Sequence, residues 1–189
     1  MDDIADSPSK VSERARNISA LIISFFAATL AIASMGGADA AKEAVFHNIQ
    51  AANLYSFYQA KNIRQSDLKI AAKDIEIRLK HDPALREPGY RLAAEELLSN
   101  YKKTIERYES EPDTNEGKRQ LLERAKIHEE LRNTAIKKDP YFDYAEALIQ
   151  IAIVLISVYI ITGSRFIAIG GTIVGAVGIS FSCFAFFFV

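Results

Sequence analysis

The feature that most constrains this chain is a set of apolar blocks toward its two ends, nearly free of charge. Ile18 to Met35 reads ISALIISFFAATLAIASM, eighteen residues without an ionisable side chain. As a helix it covers about 27 Å, at the short end for a bilayer core. The second block runs from Tyr144 to Val189 and divides at Thr162-Gly163-Ser164-Arg165. Its halves, Tyr144 to Ile161 and Phe166 to Phe188, are each long enough to cross. So short a connection permits only an antiparallel hairpin. The expectation is an all-α integral membrane protein with three transmembrane helices.

Composition hides this. Of the 47 charged residues, 37 lie between Ala38 and Pro140, 19 basic and 18 acidic. Averaged with the apolar ends, they bring the mean hydropathy close to zero. The near balance gives no basic excess for nucleic acid and no strong field to steer a ligand. The lone cysteine, Cys183, excludes an intramolecular disulfide and lies in the last apolar block, where a small buried hydrophobe is expected.

The first span is read as an anchor. Ala38-Asp39-Ala40 has the small-x-small form of a signal cleavage site, but the tail before the span carries Asp2, Asp3, Asp6 and Glu13. The expected division is a polar tail over 1–17, transmembrane helix 1 over 18–36, a charged stalk over 37–140, helix 2 over 141–162, and a turn with helix 3 over 163–189. Asp139-Pro140 is a start signal for helix 2, since Asp caps free amides and Pro suits the first helical position. Tyr141, Phe142 and Tyr144 then fall where an interfacial aromatic belt belongs. Small residues suggest close helix contacts: Ala20, Ser24, Ala27, Ala31 and Ser34 on the first span, and Gly171 with Gly175 on the third, followed by Gly178 and Ser182. Whether the partner is the same chain or another copy stays open.

The charged middle has helical patterning. Residues 38–81 hold neither Pro nor Gly; Ile63, Ile70 and Ile77 recur every seven residues, beside Leu68, Ala72, Ile75 and Leu79. His81-Asp82-Pro83 and Glu87-Pro88-Gly89 break this helix and set a tip at 82–90. A return segment over 90–111 carries Ala94, Leu98, Tyr101, Ile105 and Tyr108 in heptad spacing, and another over 114–138 carries Leu121, Ala125, His128, Leu131 and Ala135. The outgoing helix would reach about 65 Å and the two return segments about 70 Å end to end. A coiled-coil-like helical hairpin with a kinked return arm is therefore expected. So narrow a hairpin buries little surface, which points to self-association. Lys10, Arg14, Arg16 and Arg165 share one side of the membrane, which by the positive-inside rule makes the N-terminus cytoplasmic and the stalk extracytoplasmic.

The chain is poor in catalytic patterns. His47, His81 and His128 lack metal-type spacing and are expected as separate surface or core side chains. No phosphate-binding glycine loop, nucleophile elbow or CxxC occurs. No catalytic residue, metal or cofactor is therefore expected. Glu146 and Gln150, one turn apart at the start of helix 2, form the candidate intramembrane polar site, with an interfacial structural role preferred over an ion pathway. The stretch AANLYSFYQAKNIRQ, residues 51–65, sets Tyr55, Phe57 and Tyr58 on more than one helix face, which suits helix packing better than one ligand pocket.

That stretch and DPYFDYAEALIQIAIVLISVYIITGSR together resemble the bacterial membrane-protein family known as domain of unknown function 4337. The resemblance covers nearly the whole chain and implies a three-span inner-membrane protein with a helical insert. It implies no activity. The expected role is a non-enzymatic membrane scaffold or accessory subunit, partnered by the lipid bilayer and by further copies or a larger complex. A channel or transporter component using Glu146 and Gln150 is the alternative, and an enzyme ranks last.

Overall fold

A computed structural model describes residues 11–187, the side chains of residues 85 and 86 apart. Among these residues the fold is all-α: α1 (Glu13–His81), α2 (Pro88–Glu109), α3 (Lys118–Thr162) and α4 (Arg165–Phe187), with a 3-10 turn at Pro83–Arg86. Helices α1, α3 and α4 are long and apolar enough to cross a membrane. Residues 1–10 of the expected polar tail, Lys10 included, and residues 188–189 of the third span lie outside the described residues. The chain forms two compact units, Met1–Val45 with Asn133–Val189, and Phe46–Arg132.

In the first unit, α1 begins at Glu13, inside the expected tail, because Ser12 supplies the cap: its Oγ accepts from the Ala15 amide at 3.3 Å. The buried face of α1 is Ser19, Phe26, Ala33, Gly36, Gly37 and Ala40. Against it lie Phe142, Ala145, Ile149, Ala152 and Ile156 of α3 and a glycine face on α4. Gly171, Gly175, Gly178, Ser182 and Ala185 are the buried residues of α4. A Cβ on Gly175 would stand 2.2 Å from the Phe26 ring, and one on Gly178 would meet Ile149 at 2.9 Å and the Ala145 carbonyl at 3.1 Å. The glycine stripe thus closes within the chain, where removing side chains lets backbones and large neighbours approach.

Two expectations change here, at Phe142 and Cys183. The stripe of Ala20, Ser24, Ala27, Ala31 and Ser34, to which the sequence assigns no particular partner, is exposed, since α1 turns its Phe26 face inward. Helix α1 continues through Gly36–Gly37, which forms a notch for Phe142: a Cβ on Gly36 would lie 2.6 Å from that ring. Phe142 is consequently core rather than belt, with its ring edge-on to Phe186 at 4.9 Å. Cys183 is exposed, on the outer face of α4.

Helix α3 also runs unbroken through Pro140, where the sequence signals a start. The missing amide forfeits one bond, to the Ile136 carbonyl. Continuity preserves something larger, because Ala135, Phe142, Ile149 and Ile156 are buried at seven-residue intervals on both sides of the proline. A new helix at Pro140 would lose that alignment.

The second unit is built on a different seam. Along α1 the inward positions are His47, Ala51, Leu54, Tyr58, Lys61, Gln65, Leu68 and Ala72, spaced by three and four residues. Leu54 clusters with Leu121 and Ala125 of α3, flanked by Tyr55 and Tyr58. Helix α1 stops at His81, where the Asp82 carboxylate accepts from the Ala84 amide at 2.9 Å and Pro83 opens the 3-10 turn. Leu98, Tyr101, Ile105 and Tyr108 form the half-buried row of α2. The last segment starts at Lys118 rather than 114, because the turn after α2 needs Asn115 at φ 55° and a bare Gly117. A Cβ on Gly117 would lie 2.3 Å from the Glu111 amide nitrogen.

Candidate functional site

Residues 51–65 supply the inner wall of a buried polar knot in the second unit. Lys61, Gln65 and Lys118 are all buried. The Gln65 amide donates through Nε2 to the Ile105 carbonyl at 2.9 Å and to Glu109 Oε2 at 3.0 Å. Its Oε1 accepts from Lys118 Nζ at 2.9 Å and Lys69 Nζ at 3.3 Å. All four hydrogen-bonding positions of the amide are thereby filled. Lys118 also pairs with Glu109 at 3.3 Å, and Lys61 with Glu111 at 3.4 Å and with the Glu116 carbonyl.

The aromatics of this stretch serve the same knot. Phe57 and Tyr108 face the Lys61 ammonium at 5.2 and 5.8 Å, and Tyr58 faces Lys118 at 5.5 Å. Tyr55 has its phenol pushed above the ordinary value by desolvation and by donation to Glu129. Glu109 is held below the usual carboxylate value by the Gln65 and Lys118 bonds, and Glu76 by the Lys102 ion pair at 2.8 Å. The knot lysines are tied to carboxylates, Lys61 to Glu111 and Lys118 to Glu109. The knot can fix the register of α1, α2 and α3, and it presents no free nucleophile.

Three other placements bear on function. Ile63, Ile70 and Ile77 face outward, exposed by 62%, 70% and 50%, while the adjoining row of Leu68, Ala72, Ile75 and Leu79 turns inward. In the first unit, Glu146 is half-buried with its carboxylate beside Gly37, and Gln150 is exposed one turn further along α3. Among the described residues no group of three or more His, Cys, Asp and Glu could hold a metal ion.

Two of the three histidines do meet, against expectation: His47 and His128 lie with their Nδ1 atoms 3.0 Å apart. The signal was the seam register. His47 precedes Leu54 by seven residues on α1, and His128 follows Leu121 by seven on α3, so an antiparallel pairing of the leucines sets the imidazoles face to face. Reading the exposed isoleucine repeat as the organising row obscures this.

No curated protein and no solved structure matches the chain. A family model matches residues 15–188, and the chain belongs to that family, described as "Domain of unknown function (DUF4337)".

Proposed function

We propose that the protein is a non-enzymatic membrane scaffold or accessory subunit that self-associates. The observation that carries this reading is the outward row of Ile63, Ile70 and Ile77 on a helix of the charged unit. Large aliphatics repeated every seven residues and left at least half bare to water are stabilised by another helix surface. The exposed stripe of Ala20, Ser24, Ala27, Ala31 and Ser34 supplies a second surface, in the apolar part of α1, suited to close approach by a neighbouring span. In this reading the charged unit is a coiled-coil-like hairpin stalk outside a bacterial inner membrane, with the N-terminus cytoplasmic.

The test is native mass spectrometry of the full chain released from lipid nanodiscs, with Ile63→Asp/Ile70→Asp as the comparison. The expected result is a multiple of the 21.0 kDa protomer that collapses to one protomer in the double variant. A single-protomer mass for the unaltered chain sinks the proposal.

A channel or transporter component is the second reading, supported by Glu146 and the exposed Gln150 in an otherwise apolar stretch. Liposome flux that Glu146→Ala abolishes would favour it.

A further inference from the structure

The contact of His47 with His128 is a pairing of two imidazoles across helices, one of its kind among the described residues. The imidazoles come from α1 and α3, both half-buried, with ring centroids 5.2 Å apart and planes inclined by 36°. The Phe46 ring stands edge-on to His47, centroids 5.2 Å apart at 68°, and limits how far that imidazole can swing. Two imidazoles meeting through Nδ1 cannot both carry a proton there. Either one N–H faces one lone pair, or both lone pairs face a shared electrophile.

The spacing fits an N–H···N hydrogen bond and fits the second arrangement equally. A zinc–imidazole bond is about 2.0–2.1 Å, so two nitrogens on one tetrahedral ion lie about 3.3 Å apart, and about 2.9 Å apart at a right angle. The observed 3.0 Å falls inside that range. On a tetrahedral ion the two ring centres would also stand about 5.2 Å apart, so binding asks the rings to pivot without asking the helices to move. The neighbouring charged groups on α3 are otherwise engaged: Arg132 donates to Asn48 Oδ1 at 3.2 Å, and Glu129 accepts from Tyr55.

We propose that His47 and His128 form a two-imidazole site for a borderline divalent transition-metal ion of the zinc class, clipping α1 to α3 within the second unit. Nitrogen-only donors select zinc, copper or nickel over magnesium and calcium. With no third protein ligand among the described residues, water completes the shell and the ion exchanges freely.

The experiment is calorimetric titration of zinc chloride into the untagged full chain in detergent. It is joined by electron paramagnetic resonance of the copper(II) form, which counts coordinated nitrogens without any substitution. The expected result is one zinc per protomer, unaffected by excess magnesium, and two imidazole nitrogens on copper. Outer-shell ligand partners are worth about tenfold or more in metal affinity, so His47→Ala and His128→Ala, as direct-ligand losses, should each weaken binding by at least that factor. His81→Ala, at the exposed end of α1, should bind as the unaltered protein does. Circular dichroism establishes that each variant is helical. The proposal is overturned if zinc fails to bind below about 1 mM, if both His variants bind undiminished, or if copper shows fewer than two nitrogens. An acid-sensitive melting point lost in His47→Ala, without metal affinity, would identify a shared proton instead and overturn it equally.

Discussion

The two units close their helices by opposite means. The first uses absence: Gly36, Gly171, Gly175 and Gly178 leave gaps that Phe142, Phe26, Ile149 and Ile156 fill. The second uses a surplus of polar groups, with Lys61, Gln65 and Lys118 buried and each supplied with partners. The contrast follows from the solvent each unit is suited to. Between lipid-facing helices apolar burial gains little, so contact area from close backbone approach must do the holding. Around a charged helix in water, apolar burial and satisfied polar groups can both contribute, and a fully bonded knot also specifies register.

Substitutions can break that comparison from either side. The largest effect is expected at Gly117→Ala, where a methyl would meet the Glu111 amide nitrogen at 2.3 Å and the Ser110 Cα at 2.7 Å, both backbone atoms with little freedom to yield. A loss of about 3 kcal/mol or more is expected, read as a lower denaturation midpoint by circular dichroism. An unchanged midpoint would mean the turn relaxes freely. Next comes Leu121→Ala, which empties the fully buried centre of the Leu54 cluster and should cost about 2–5 kcal/mol.

In the first unit, the nearest atoms to a methyl at Gly175 are those of the Phe26 ring, a side chain that can turn. A loss of about 1–3 kcal/mol is expected from thermal unfolding in detergent. If Phe26→Ala placed beside it restores the lost stability, the glycine–phenylalanine contact is the cause. Gln65→Leu probes the knot: it strips Lys118 and the Ile105 carbonyl of one partner each and should cost about 1–3 kcal/mol. A stable Gln65→Leu protein would reduce the knot to ordinary packing.

The smallest effect is in the pH profile. Glu109 and Glu76 titrate in the folded chain below the ordinary carboxylate value of 4.5. Their stabilisation is therefore complete above that value and is lost as pH falls through the lower folded values. Melting followed from neutrality to about pH 3 should show an acid limb that Glu109→Gln makes shallower. Equal slopes would remove Glu109 from the account.

Parts of this fold are written locally. Helix α1 ends where Asp82 can cap and Pro83 cannot continue, and three of the helices are long and apolar enough to cross a membrane. Pro140 shows the limit of local signals. Its dipeptide spells a helix start, yet the buried face from Ala135 to Ile156 carries α3 through it. The aromatic stretch at 51–65 is similar: its faces could be counted from sequence, but not the Ile105 carbonyl and Glu109 carboxylate of α2 and the Lys118 ammonium of α3 that meet it.

By itself, then, the sequence determined the all-helical class, the apolar helices and the family, because hydrophobic length, periodicity and motif are properties of neighbouring residues. Only the tertiary structure decided which stripe on each helix faces inward, that the isoleucine row stays outside, and that His47 meets His128. Those outcomes depend on the register between segments some eighty residues apart, and register is set by the sum of contacts along a seam rather than by any one stretch of it.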